Sequence, residues 1–465
     1  MIARAARDTR WAAAAIVGYA TLLGVVPNTN VRLLLAGLLV TAAALLFLLS
    51  SGSRWIPVFF ATALLLPPLP LAFGDSGPHV CILLAAVGLL VGFLCPGKWK
   101  LRMDFLGSAT ILLFAALAVS IPVAAWFSGV NIAVGTAARV LLFGISVYLL
   151  FYTAYGPASA DCSRLLFGLA VASAAFACVD FYFQFPAPAG FGPQFVWLDS
   201  GVYRRAQGIF YEASTLGNFC AFFLVMIAVI LSRPKAERRI ARTALIVGGA
   251  VLGMALVLSY SRASILTVLV AVAVLRARSR RKLRWKPVFA GAAIALAVGL
   301  IIFPTFVQLS WDRAYASLVY FRTYPEAVLS GRLSNWQALG EYVVHNPQNL
   351  LLGIGYKTLP YTNITGNPIV ADNMYLSMLV ETGLVGLAAL LLFHAAVLRT
   401  GLRAARSSNP RAVFFGLWIF CFWVGQILQM FSGDLLTYWR VLPVYFWVLG
   451  MAERTSHEDP VPRSI

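Results

Sequence analysis

The sequence predicts an all-α integral membrane protein: a polytopic bundle of about 12–14 transmembrane helices with one large outer-face loop that contains short helices. Three observations lead there. Apolar residues make up 60% of the 465 positions, charged residues only 11%, and mean hydropathy is +0.83. Apolar runs of about 17–25 residues, the length that crosses a bilayer, recur from end to end. The charged residues fall in short clusters between those runs, and their sign and type alternate from loop to loop.

The formal charge of +19 could point to nucleic acid, but its distribution excludes that partner. Every second loop is basic: Lys98, Lys100 and Arg102; then Arg233, Lys235, Arg238, Arg239 and Arg242; then seven basic residues between Arg276 and Lys286; then Arg399, Arg403, Arg406 and Arg411. The intervening loops are almost free of lysine, as the positive-inside rule requires. The basic charge therefore reports topology and contact with membrane lipids. It places both termini in the cytoplasm and the loops at 188–207, 260–262 and 305–372 on the outer face. Of the six cysteines, five lie in apolar runs, and none has metal-site spacing, so they read as buried, inert thiols. No cleavable signal peptide is evident, and the run after Arg10 reads as the first span.

In order, the expected spans are 11–27, 32–50, 55–73, 79–95, 104–127, 133–155, 163–185, 209–231, 243–260, 263–275, 288–304, 374–398, 412–430 and 439–452. The span from Trp55 carries Pro67, Pro68 and Pro70, and the one from Ala263 is short. Either can be a broken element buried in protein. The expected divisions are a first bundle over 1–304, an outer loop over 305–373, C-terminal spans over 374–452 and a polar cytoplasmic tail over 453–465. There is no internal repeat.

Charges in the outer loops are not needed for topology, so they are the candidate site. Arginine is suited to phosphate because its planar fork donates two parallel bonds. Arg262, in SYSRAS, is either a phosphate ligand or an arginine snorkelling at the interface. Arg139 lies inside an apolar run near its outer end and must face protein or a wet cavity. RAQGIFYEASTLGNF places Arg205 and Glu212 where a span begins, and Glu212 can serve there as a first-turn charge or as a base. Asp180 is a weaker case of the same kind. Asp372 precedes the span opening at Met374 and can be its N-cap or a general base. Beside it is Asn373, and Glu381 sits within the apolar helix that follows, paired or facing a polar cavity. Trp336, Leu339 and Val343 recur at helical spacing in the loop. His345 is the only histidine there and reads as solvated or structural more readily than as a base.

GRLSNWQALGEYVVHNPQNLLLGIGY followed by ADNMYLSMLVETGLVGL resembles the superfamily of O-antigen ligases and polymerases of bacterial envelopes. The shared pattern is Arg332, Trp336, Pro347, Gly353 and Gly355, then Asp372-Asn373, Glu381, Gly383 and Gly386. SYSRAS is similar to the family's Ser-Arg turn, and GIFYEASTLGNF to a G-x-x-x-E-x-S segment of some polymerases. The resemblance covers about 203–387. Where the ligases carry histidine followed by Asn or Ser, this chain has Asp372-Asn373, which looks more like the repeat-unit polymerases.

The resemblance implies a glycosyltransferase of the bacterial inner membrane that needs neither cofactor nor metal and works on the periplasmic face. It would move a glycan from an undecaprenyl-pyrophosphate carrier to an acceptor sugar hydroxyl, polymerising exopolysaccharide or O-antigen units. Asp372 and Glu212 are its expected catalytic carboxylates. Arg262, Arg332, Arg205 and Arg139 are the expected pyrophosphate ligands, with Asn373, Glu381 and Trp336 in support. Expected partners are the carrier-linked glycan, an acceptor glycan or glycolipid, and polysaccharide export and chain-length proteins. A ligase acting on lipid A-core is the second reading. A flippase without bond chemistry is the third, although no pseudo-symmetry of the transporter kind is visible.

Overall fold

The structure, a computed structural model, describes residues 45–69, 78–157, 160–188, 191–198, 201–234, 237, 238, 240–278, 331–364, 366 and 368–458, with isolated positions elsewhere. The expected spans at 11–27 and 288–304, and most of 32–50, lie outside the described residues. The rest is an all-α polytopic membrane protein. Its helices are α1 (Trp55–Leu65), α2 (Val80–Leu94), α3 (Phe105–Ser128), α4 (Val130–Tyr155), α5 (Ser163–Phe183), α6 (Ala213–Ser232), α7 (Arg242–Leu258), α8 (Arg262–Arg278), α9 (Arg332–His345), α10 (Met374–Ala405), α11 (Pro410–Gln429) and α12 (Leu442–Ser456). Among the described residues, α3, α4, α5, α6, α10 and α11 are long and apolar enough to cross a membrane. The one sheet among them is a hairpin in the loop before α6, Phe195–Leu198 (β1) against Gly201–Arg204 (β2), which the sequence reading leaves as loop.

Helix α6 is apolar over most of its surface and is the most buried of the six long helices, so it packs against protein on nearly every side. Phe222 on it packs against Trp418 and Phe422 of α11 and Tyr445 of α12, with ring centres 4.6, 4.8 and 4.3 Å away. Apolar lipid gives little reward for hiding apolar side chains, so close packing and buried hydrogen bonds hold such helices together. The Asn218 amide supplies the bonds: it donates to Gln426 and Gln429 and accepts from the Tyr445 hydroxyl.

The expected span 55–73 is instead an 11-residue helix. Pro67 forces Leu66 out of the helical region, and Leu66 is extended at φ −95°, ψ 143°. The carbonyls left open at the end of α1 are taken by Arg440, far along the chain. Its guanidinium donates to Ala63 O at 3.1 and 2.8 Å, to Leu66 O at 2.7 Å and to Ile209 O at 2.5 Å. His79 Nδ1 accepts from Cys81 N, so Nε2 carries the proton donated to Leu66 O at 2.9 Å.

Helix α10 is broken at Gly383, whose φ is 67°. The break leaves carbonyls above it and N–H groups below it without helical partners. The loop after α9 fills both sets. Ile354 N and Gly355 N donate to the carbonyls of Val380 and Glu381 at 3.2 and 2.8 Å. Leu384 N and Val385 N donate to those of Leu350 and Leu351 at 2.8 and 3.3 Å. A Cβ at Gly383 would overlap the Leu351 carbonyl, and one at Gly353 the Glu381 carbonyl. The two glycine motifs of the sequence therefore meet each other, and their joint function is to seat the loop in the broken helix.

Candidate active site

At the end of the bundle where α6, α10 and α12 begin and α11 stops, a cavity of about 240 Å³ opens. Four carboxylates line it, Glu212, Asp372, Glu381 and Asp434, with two cations, Arg332 and Lys357, and the Tyr438 phenol. The hydroxyls of Ser214, Ser377, Ser432 and Thr437 complete its polar wall.

Asp372 is not the cap of α10. Asn373 is, accepting from Tyr375 N at 3.1 Å and Leu376 N at 3.2 Å. This leaves the Asp372 carboxylate for Arg332 Nε, 3.1 Å away, and nearly half of its side chain, 47%, stays exposed. Asp372 sits at φ 46°, a left-handed conformation that Asp tolerates better than most residues. Helix α9 fixes this strip: Trp336 Nε1 donates to Ala371 O at 2.7 Å and Asn335 Nδ2 to Val370 O at 3.3 Å. Arg332 opens α9, so the grip and the ion pair come from one helix.

Glu212 holds the cap position of α6 without bonding its backbone. Its carboxylate accepts from Thr215 Oγ1 at 2.5 Å. The free Ala213 N–H donates instead to Gln194 Oε1, 2.9 Å away in the loop before the hairpin. Burial pushes the Glu212 carboxyl above the usual carboxylate range, and the nearby Asp434 adds to this; the Thr215 bond, Lys357 and Arg205 oppose it. Glu381, 1% exposed, accepts from Leu359 N at 3.2 Å through Oε1, while its buried Oε2 has no hydrogen-bond partner among the described residues.

Two charged residues of the cavity are missed by the sequence reading as site residues. Lys357 Nζ is bonded to Asp434 Oδ2. Burial works against the Lys357 charge, but Asp434 and Glu381 outweigh it and hold the amine above its ordinary value. Lys357 also has a left-handed backbone, φ 61°. Asp434 follows α11 in SGDLLTYWR, and an acid in a short loop on the same predicted face as Glu212 was the signal that would have found it. Its Oδ1 accepts from Leu436 N at 3.0 Å.

Of the four expected phosphate-binding arginines, Arg332 lines the cavity while Arg205, Arg262 and Arg139 do not, and the charge of Arg332 acts on both Arg205 and Arg262. Burial lowers the Arg205 guanidinium from its ordinary value; Tyr438, Glu212 and Asp372 counter this, and Arg332 lowers it further. The charge of Arg332 reaches half-buried Arg262 as well. Arg205 Nε donates to Ser259 O at 2.9 Å, which ties it to the turn that carries Arg262. Arg139 stands apart: it donates to the Tyr361 hydroxyl at 2.9 Å and its charge acts on Lys357 and Tyr356. Asp180 pairs with Arg204 at 3.7 Å beside the hairpin, and His345 Nδ1 lies 2.8 Å from the Glu341 carbonyl, outside the cavity wall.

Fold and site together define a multi-pass helical membrane protein with a charged, hydroxyl-rich cavity at one end of its bundle. Residues 247–391 match the family model described as O-Antigen ligase. The match supports the superfamily of O-antigen ligases and polymerases that the sequence resembles, and with it a ligase- or polymerase-type function in general. It takes in Arg262, Arg332, Lys357, Asp372 and Glu381, and leaves Arg139, Arg205, Glu212 and Asp434 outside. No curated protein matches the chain.

Proposed function

We propose that the chain is a polymerase that transfers a glycan from a polyprenyl-pyrophosphate carrier to the hydroxyl of an acceptor sugar, at the outer face of the bacterial inner membrane. The observation that carries this reading is Arg332 paired with Asp372 in a cavity that Glu212 also lines, with Arg205 bonded to the turn that carries Arg262. In the reaction the acceptor oxygen attacks the anomeric carbon, and the bond from that carbon to the phosphate oxygen breaks. The electron pair leaves on the pyrophosphate, whose added charge the guanidinium groups of Arg205, Arg262 and Arg332 stabilise. The proton of the acceptor hydroxyl passes to a carboxylate. Glu212 is the better-suited base, because burial raises its proton affinity while Asp372 is held by Arg332.

The test is loss of the gene followed by analysis of carrier-linked glycans. Single repeat units stalled on the carrier indicate the polymerase. Full-length chains stalled there indicate a ligase and overturn the polymerase reading, and normal glycans on every carrier overturn both.

A further inference from the structure

The cavity and the arginine group differ in sign. Within the cavity wall, Arg332 closes on Asp372 and Lys357 closes on Asp434. The wall holds four carboxylates against two cations, and Glu212 and Glu381 make no direct ion pair among the described residues, although Lys357 and Arg205 act on Glu212 from a distance and Lys357 on Glu381. An anion entering the cavity would meet this surplus of carboxylates, whereas an anion beside Arg205 and Arg262 would meet cations. Glu381 adds an independent sign of a ligand. Its Oε2 is buried in the cavity wall with no partner among the described residues, and a buried acceptor of that kind calls for a donor. A sugar hydroxyl or ammonium is such a donor, and a carboxylate or phosphate is not. The serine and threonine hydroxyls around it suit the same ligand, and about 240 Å³ admits a single sugar ring.

We infer that this cavity is the acceptor-sugar subsite and that its surplus carboxylates select a neutral or amino sugar over an acidic one, an inference that rests on the glycosyl-transfer reading for the word acceptor. Arg332 and Asp372 then form the boundary between the two halves of the site. The carrier pyrophosphate lies on the arginine side. The ring that supplies the attacking hydroxyl lies on the carboxylate side, with Glu212 within reach of both. Like charge across a desolvated contact is an effective means of refusing a wrong ligand.

The experiment uses the full chain in lipid nanodiscs and three probes: methyl glucoside, methyl glucosaminide and methyl glucuronide. Binding is followed by saturation-transfer NMR with competition, and transfer with a polyprenyl-pyrophosphate-linked glycan. The expected result is binding of the glucoside and glucosaminide at least roughly tenfold tighter than the glucuronide. Glu381→Gln, which keeps the bond from Leu359 N, should reduce that ratio several-fold. Glucuronide binding equal to or tighter than glucoside in the unmodified protein overturns the inference, as does an unchanged ratio in folded Glu381→Gln. If that variant does not accumulate, the unmodified protein's ratio and Glu212→Gln decide in its place. If the ratio holds but no acceptor is glycosylated, the transfer reading fails and the sugar selectivity stands.

Discussion

At the scale of single residues, the site turns on which side chain each backbone turn releases. Because Asn373 caps α10, the Asp372 carboxylate is not needed to start the helix. Asp372→Asn should leave membrane level and thermal stability close to normal. If the carboxylate orients the acceptor or holds Arg332 in place, polymer formation in a null strain should still fall, on the order of 10²–10⁴-fold at the upper end. Normal polymer would show that the ion pair is dispensable. Glu212→Gln is expected to remove activity and to change the pH profile as well. A base works only when deprotonated, and burial holds the Glu212 carboxyl above its ordinary value. The acid limb of activity should therefore lie at higher pH than a free glutamate would give, and should disappear in any residual rate of Glu212→Gln. The sign for stability is the reverse. With its folded-state value raised, Glu212 contributes stability that is fully present below the unfolded-state value and is lost as pH rises through the folded one. Activity rising and stability falling across one window is the signature to look for. Arg332→Lys keeps a charge but loses the fork, so its activity should drop sharply at normal expression.

At the scale of elements, the site depends on breaks and seats in helices. Gly383→Ala would place a Cβ on the Leu351 carbonyl at a φ of 67°. The left-handed conformation alone costs about 1–2 kcal/mol for a residue with a Cβ. The measurement is the midpoint of thermal unfolding in detergent, together with polymer output. Both should fall, since the loop seated in that break carries Lys357. Asp104, which caps α3 through Gly107 N at 2.8 Å, is a control at the other end of the bundle. Asp104→Ala should lower stability by about 0.5–2 kcal/mol with polymer chemistry retained. Much of this level was legible in the sequence. Apolar run lengths located α3, α4, α5 and α6 closely, because a fully buried or lipid-facing helix has no competing polar pattern. The start of α10 was legible from Asp372-Asn373, but not which of the two is the cap, because both types cap equally well. The early stop of α1 was signalled by Pro67 and Pro68; its rescue by Arg440 was not, because a contact between such distant positions leaves no local trace. Lys357 and Asp434 escaped for the same reason, each being an ordinary loop charge until the other is placed beside it.

At the scale of the whole molecule, two expectations concern what surrounds the bundle. The charge alternation predicts that the cavity end faces outside. Lys357 is a poor probe of this, being held by Asp434, so cysteine at exposed Gln348 should be used, and cysteine at exposed Ser408 for the opposite end. A membrane-impermeant reagent on intact spheroplasts should label the first and not the second. The reverse pattern would place the site in the cytoplasm and end the proposal of an outer-face enzyme. Polymer formation by purified protein should also persist in EDTA, since arginines are assigned to the leaving group. Activity abolished by the chelator and restored by one divalent ion would show that a cation shares that task.

The grip of Arg440 on the end of α1 also bears on how the chain is made. From Ala63 to Arg440 the separation is 377 residues. During synthesis, α1 reaches the membrane long before its capping guanidinium exists. Until then its last carbonyls need water or a helper protein, because bare carbonyls are costly in hydrocarbon. The seating of the end of α1 is thus left provisional until Arg440 is translated. Ribosome-stalled chains ending before residue 440 should expose the region around Leu66 to protease, and chains extended past α12 should protect it. A late arginine would then act as a checkpoint for completion, letting quality control tell a finished chain from a truncated one before any substrate is met.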